Sequence, residues 1–183
     1  MGRQPVAAPG KRRATKTPPA GRLVVKGAPE NSRLFVYVIG NFLHRLEFER
    51  RQVYFGDLDL ARVAEIIGMA GVEPGMRDEI FRDSHRSFDS VVGIEAQRAV
   101  NASSIAQATG IPRETVRRKL KVLLKHGLIV EKGRARYVLQ PGMLQTPERQ
   151  ASFAHGIQQT VQFMNDCLEQ GLIDWVPAGT KTR

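Results

Sequence analysis

The sequence has a single cysteine, Cys167, which rules out an intramolecular disulfide framework and fits a reducing cytoplasm. Long hydrophobic runs are missing as well. The stretch LFVYVIG at 34–40 falls far short of the about 20 apolar residues that span a bilayer, so a soluble chain without membrane attachment is expected. The four histidines, His44, His85, His126 and His155, are scattered, and no HxxxH, HExxH or CxxC spacing occurs. A metal site would have to be assembled from distant segments. Gly68, Gly71 and Gly75 do not form the GxxxxGK[ST] loop that cradles nucleotide phosphates, and Asp83, Ser84 and His85 lack the elbow that presents a nucleophilic serine. The expectation is a protein that is not an enzyme and needs no cofactor or metal.

What is present is concentrated in 101–139, NASSIAQATGIPRETVRRKLKVLLKHGLIVEKGRARYVL. Asn101 can cap a helix whose Ile105 and Ala106 face inward, Gly110 supplies the positive φ of a tight turn, and Ile111 and Val116 re-enter the core. At about 100° per residue, Val116, Leu120, Leu123 and Leu124 make the buried stripe of a second helix. Glu114, Arg117, Arg118, Lys121 and Lys125 then face outward. Arg113, Glu114, Thr115, Arg117 and Arg118 fill the first two turns, where a recognition helix meets base edges, and the later lysines suit phosphates. Arginine pairs bidentately with guanine and glutamate accepts from the cytosine amino group, so this set can read sequence as well as charge. The same Glu114, Arg117 and Arg118 also form i,i+3 and i,i+4 ion pairs that would merely solvate an exposed helix. His126-Gly127 ends the helix, and LIVEK and ARYVL flank Gly133-Arg134 as a hairpin. Lys132, Arg134 and Arg136 would project from it toward a phosphate backbone or minor groove. A solvated turn is the plain alternative for Arg134.

Charge is distributed unevenly. Residues 1–26 carry seven Lys/Arg and no acid, and residues 111–136 carry nine basic against two acidic side chains, so each segment contributes +7 to the total of +10. The remainder is mildly acidic. A net charge gathered in a tail and one compact segment is the footprint of nucleic-acid binding, with double-stranded DNA as the expected partner.

Four regions follow: a disordered basic arm over 1–30, an N-terminal helical region over 31–97, a winged helix-turn-helix over 98–140, and a C-terminal helix and tail over 141–183. The arm is rich in Pro, Gly and Ala, lacks the apolar core of a secretory signal, and either tracks phosphates or is an idle extension. Asn31 or Ser32 can start a helix to about Arg51 that is apolar around much of its circumference, through Leu34, Phe35, Val38, Ile39, Phe42, Leu43 and Leu46. Asp57 or Asp59 can start a second, with Leu60, Val63, Ile66, Ile67 and Met69 inward and Gly71 at its end. Residues 79–92 read as helix or long loop, and 98–100 as a short first strand. Thr146 or Pro147 opens a long helix to about Gln170, stopped by Gly171, with Phe153, Ile157, Val161, Met164 and Leu168 one turn apart. Phe153, Phe163 and Met164 are core, dimer interface, or the lining of a ligand pocket.

Two apolar helices flanking a winged helix-turn-helix resemble the architecture of MarR-type transcription regulators. That resemblance implies a mainly α fold with a small β-wing, dimerisation through the flanking helices, Arg117 and Arg118 on the recognition helix, and Arg134 and Arg136 on the wing. The wing differs from the family's Asp-x-Arg and Leu-Thr-x-x-Gly elements, reading Glu131-Lys132-Gly133-Arg134 and Leu139-Gln140-Pro141-Gly142. The family's phenolic-ligand response is therefore not carried over, and a small-molecule effector, if one exists, is not identified by these residues. The expected function is a homodimeric, sequence-specific DNA-binding regulator, a repressor in the cytoplasm and on the bacterial nucleoid. A protein-interaction winged helix and a plasmid or phage replication or partition factor are the alternatives.

Overall fold

The computed structural model describes residues 20–26 and 29–180. Among them are six α-helices and two small antiparallel sheets of two strands each. In chain order these are β1 (Gly21–Val25), α1 (Ser32–Val53), α2 (Leu58–Val72), α3 (Glu79–Ser84), α4 (Ala102–Thr109), α5 (Arg113–Lys125), β2 (Ile129–Glu131), β3 (Tyr137–Leu139), α6 (Pro147–Glu169) and β4 (Ile173–Pro177). No helix is long and apolar enough to cross a membrane.

The larger core gathers around α2. Leu60, Val63 and Ile67 of α2 pack with Ile105 of α4, with Val116, Leu120 and Leu123 of α5, and with Ile129 and Leu139 of the β2–β3 hairpin. Their i, i+3, i+7 spacing on α2 sets one inward face. Met69, expected inward, lies on the opposite side of that helix and is 58% exposed. Leu124 of α5 likewise sits at the margin of its stripe and is exposed. Gly68 permits the close approach of β3, since a Cβ there would lie 2.8 Å from Leu139 Cδ1. Residues 98–100 do not form the expected strand; only Val100 bridges, to Tyr137. Of 79–92, only Glu79–Ser84 is helical, started by Asp78, whose carboxylate accepts from the Phe81 N–H at 2.8 Å.

A second, smaller core joins α1 to α6. Val38 packs with Cys167 and Leu172, Phe42 stacks on Phe163 with ring centroids 4.5 Å apart, and Glu49 Oε1 meets His155 Nδ1 at 3.0 Å. Rising positions on α1 meet falling positions on α6, so the pair is antiparallel. Thr146 caps α6 with Pro147 at its first turn, but Asn31 makes no side-chain cap to α1. Beyond the helix ends, β1 pairs with β4 from Gly21↔Pro177 to Val25↔Ile173. This corrects the assignment of 21–25 to a disordered arm. The partner strand lies at the other end of the chain, where no local pattern reveals it. Of the rest of the expected arm, 1–19 and 27–28 lie outside the described residues.

The turn between α1 and α2 ties both units to α5. Asp57 caps α2 by accepting from the Leu60 N–H at 2.9 Å, and its other oxygen pairs with Lys119 of α5. Arg50 of α1 meets Glu65 of α2 at 2.9 Å, and Phe55 stacks on His126 at the end of α5. Partial burial pulls the Asp57 carboxyl upward, but the hydrogen bonds from Lys119 and Leu60 outweigh it and hold the pKa below its ordinary value. A carboxyl with the lower pKa in the folded state stabilises the fold above its unfolded pKa of about 3.9, and that contribution is lost as pH falls through the folded value. Asp57→Asn keeps the cap and removes the charge, so its stability should fall less steeply than wild type below about pH 4. Asp57→Ala loses the cap as well and should cost about 1 kcal/mol more at neutral pH. Urea midpoints of the three proteins across this range check both statements; parallel pH profiles for wild type and Asp57→Asn would refute the first.

Candidate nucleic-acid interface

Helix α4 begins where Asn101 accepts from the Ser104 N–H at 3.0 Å. It ends at Gly110, whose φ of +73° turns the chain through a conformation that side-chain-bearing residues adopt only with strain. Thr109 Oγ1 donates to Ile105 O at 2.8 Å and accepts from the Ile111 N–H at 3.2 Å, fixing the turn. Helix α5 then starts after Pro112 with no side-chain cap, leaving its first N–H groups without a side-chain acceptor. Val116, Leu120 and Leu123 anchor it, which turns Arg113, Glu114, Arg117, Arg118 and Lys121 to solvent. Thr115 is half-buried.

The hairpin reverses through 132–136, with the Lys132 N–H donating to Arg136 O at 2.8 Å. Gly133 and Ala135 both take positive φ, +80° and +53°. The strained alanine is held by its N–H donating to Glu131 Oε1 at 2.6 Å. This reversal aims Arg134 and Arg136 back toward α5. Between them, α5 and the start of α4 enclose a solvent-filled cleft of about 580 Å³, lined by Arg113, Glu114, Arg117, Lys121, Arg134 and Arg136 together with Asn101 and Ser103. Five cationic side chains and one carboxylate thus share one concave surface. Only Arg117 has an ion pair within it, to Glu114 at 3.3 Å with both side chains well exposed, and such exposed pairs are weak and easily exchanged for a stronger anion.

Six of the nine residues read from the sequence as a site therefore converge on this cleft. Three do not. Arg118 turns along the helix and donates to Thr115 Oγ1 at 3.2 Å, so these two form a pair beside the cleft. Lys132 is a correction: its ammonium donates to the carbonyl oxygens of Ile94, Glu95 and Gln97 at 2.9, 3.0 and 3.1 Å, with Glu95 Oε2 at 3.5 Å. It fastens the base of the hairpin to 94–97 and does not project toward a ligand. Its partners are remote in sequence, and the local pattern showed only one more basic residue near a turn. Asn101 and Ser103 line the cleft but were not singled out as site residues; a polar residue two positions after a cap was the available signal. No group of His, Cys, Asp and Glu able to hold a metal occurs among the described residues.

No protein family, curated protein or solved structure matches the chain.

The two kinds of lysine differ in what their loss does. Lys132→Met removes a charged donor from three carbonyls and should destabilise the fold by about 1.5 kcal/mol or more. Lys121→Met should stay within about 0.5 kcal/mol of wild type, as exposed side chains without partners do. Chemical denaturation of both variants checks the contrast, and equal midpoints would remove the fastening role of Lys132.

Proposed function

We propose that α2, α4, α5 and the β2–β3 hairpin form a winged helix-turn-helix that binds duplex DNA, and that the chain acts as a homodimeric transcription regulator, most simply a repressor that occludes its site. The observation that carries this reading is the convergence of Arg113, Arg117, Lys121, Arg134 and Arg136 on one cleft between an exposed helix and a hairpin turn. In this reading α5 enters the major groove. Its first turns offer Arg113 and Arg117 for guanine edges, Glu114 for a cytosine amino group and uncapped backbone N–H groups for a phosphate. Lys121 meets the backbone, and Arg134 and Arg136 reach the next stretch of phosphates or the minor groove. The Arg117–Glu114 pair opens at little cost when a base edge replaces it.

Dimerisation is supported by apolar surface that one chain leaves in water. Val36 and Leu43 on α1 are 70% and 52% exposed, and Leu168 on α6 is 40% exposed. Exposed apolar side chains gathered on a helix pair suit an association surface. A second copy of the antiparallel pair would complete a four-helix arrangement and place two α5 helices on one face of the duplex, with half-sites about 10 bp apart in an inverted repeat.

Arg117→Ala should weaken binding to the preferred site by about 1–3 kcal/mol and relax discrimination at one base pair, whereas Lys121→Ala should weaken all sequences alike. Competition binding against single-base variants of a selected site measures both. Failure of the wild type to select any duplex sequence would leave the cleft to an acidic protein partner. Leu43→Glu alters a side chain already exposed in one chain, so it should fold, sediment as a monomer and lose tight binding to the full inverted repeat. A wild type that is itself monomeric on DNA would sink the dimer.

A further inference from the structure

A groove of about 450 Å³ runs between α1 and α6 and closes against α2. Its walls are apolar along most of its length, from Leu46 and Val53 of α1 to Phe153, Ile157 and Val161 of α6. The seven steps from Leu46 to Val53 and the eight from Phe153 to Val161 correspond to a channel about 10–12 Å long at the helical rise. Polar groups gather at one end. There Tyr54 is 7% and Arg149 9% exposed, with the guanidinium over the phenol ring, 4.4 Å from its centroid.

Arg149 has no carboxylate partner among the described residues. Of the acids that line the same groove, Glu65 pairs with Arg50 at 2.9 Å, and Glu49 Oε1 lies 3.0 Å from His155 Nδ1. A buried guanidinium without an ion-pair partner is costly, and an aromatic face offsets only part of that cost. Of the residues expected to line a pocket here, only Phe153 does so; Phe163 is stacked on Phe42, and Met164 lies outside the groove. The volume falls within the range of small-molecule sites. Arg50, the other cation of the groove, is paired with Glu65, so length, apolar walls and one cation without an acid partner at one end select a ligand that is extended, hydrocarbon and negatively charged at one terminus.

We propose that this groove binds a medium-chain aliphatic carboxylate, with the carboxylate on Arg149 beside Tyr54 and the hydrocarbon chain lying along α1 and α6 toward Leu46 and Val161. The site is separate from the cationic cleft, and its occupancy is read without DNA.

Calorimetric titration of the full chain with hexanoate, octanoate and decanoate, each below its micelle threshold, tests the proposal. Saturable binding of one ligand per chain should tighten about fourfold per added methylene. Decanol and decylammonium should bind at least about tenfold more weakly than decanoate, and Arg149→Met should abolish that preference. Because Arg149 also packs on Tyr54, a second variant keeps the test independent of folding. A Cβ at Gly156 meets nothing within 4 Å, and leucine suits a helix better than glycine. Gly156→Leu should therefore fold at least as well as wild type, fill part of the groove, and lose decanoate binding. The proposal is overturned if decanoate does not saturate, if decanol binds as tightly, or if Gly156→Leu binds like wild type. It is equally overturned if decanoate affinity falls as protein concentration rises, because a second copy would then be filling the groove.

Discussion

Helix α2 buries Leu60, Ala61, Val63, Ala64, Ile67 and Gly71 along one broad face, with Arg62 and Met69 exposed on the other, and a face that wide has to be covered from several directions. Burying Leu60, Val63 and Ile67 contributes about 1.5–3 kcal/mol for each side chain, and several elements have to pack on this broad face to cover it. The chain does so with α4, α5, β3 and the end of α1. Each surrounding element is then held in direction as well as position. Asp57 at the start of α2 engages Lys119 of α5. Near its other end Gln97, buried against Gly71, donates to Leu139 O at 3.1 Å and accepts from the Leu139 N–H at 3.0 Å. The angle between α5 and the hairpin, and hence the width of the cationic cleft, follows from what α2 requires.

The basic residues of 111–136 serve two purposes that net charge does not distinguish. Lys119 and Lys132 are consumed internally, one as the partner of a helix-capping carboxylate and the other as the donor to three carbonyls. Arg113, Lys121, Arg134 and Arg136 line the cleft with no ion pair to a neighbour among the described residues. A fold that spends some cations on its own joints and leaves others facing outward presents concentrated positive potential from a rigid frame. Rigidity matters because loosely held side chains would lose on ordering much of what they gain from an anion.

Much of the fold was legible because it is encoded over a few residues. Asn101, Asp57 and Thr146 each cap the helix that their sequence position announces. Gly110, Gly127 and Gly171 take the left-handed conformation where a helix has to stop. The stripe of Val116, Leu120 and Leu123 needs only the helical period. What escaped the sequence depends on residues far apart. The strand at Gly21–Val25 exists because of Ile173–Pro177, and Lys132 turns inward because three carbonyls from 94–97 converge on it. The buried Arg149 was equally invisible: a helical period places it on the inner face of α6 but says nothing of whether an acid waits there.

The β1–β4 ribbon joins the first described strand to the last, which makes it the most non-local strand pairing among the described residues. Closing so large a loop carries an entropic cost that contacts among α2, α4, α5 and the hairpin do not bear. During synthesis these middle elements have all their partners once β3 has emerged, while α1 must wait for α6, the apolar side chains of Leu34, Phe35 and Val38 uncovered until the final quarter of the chain appears. A product truncated before α6 would carry every residue that lines the cationic cleft but lack the partners of α1 and β1.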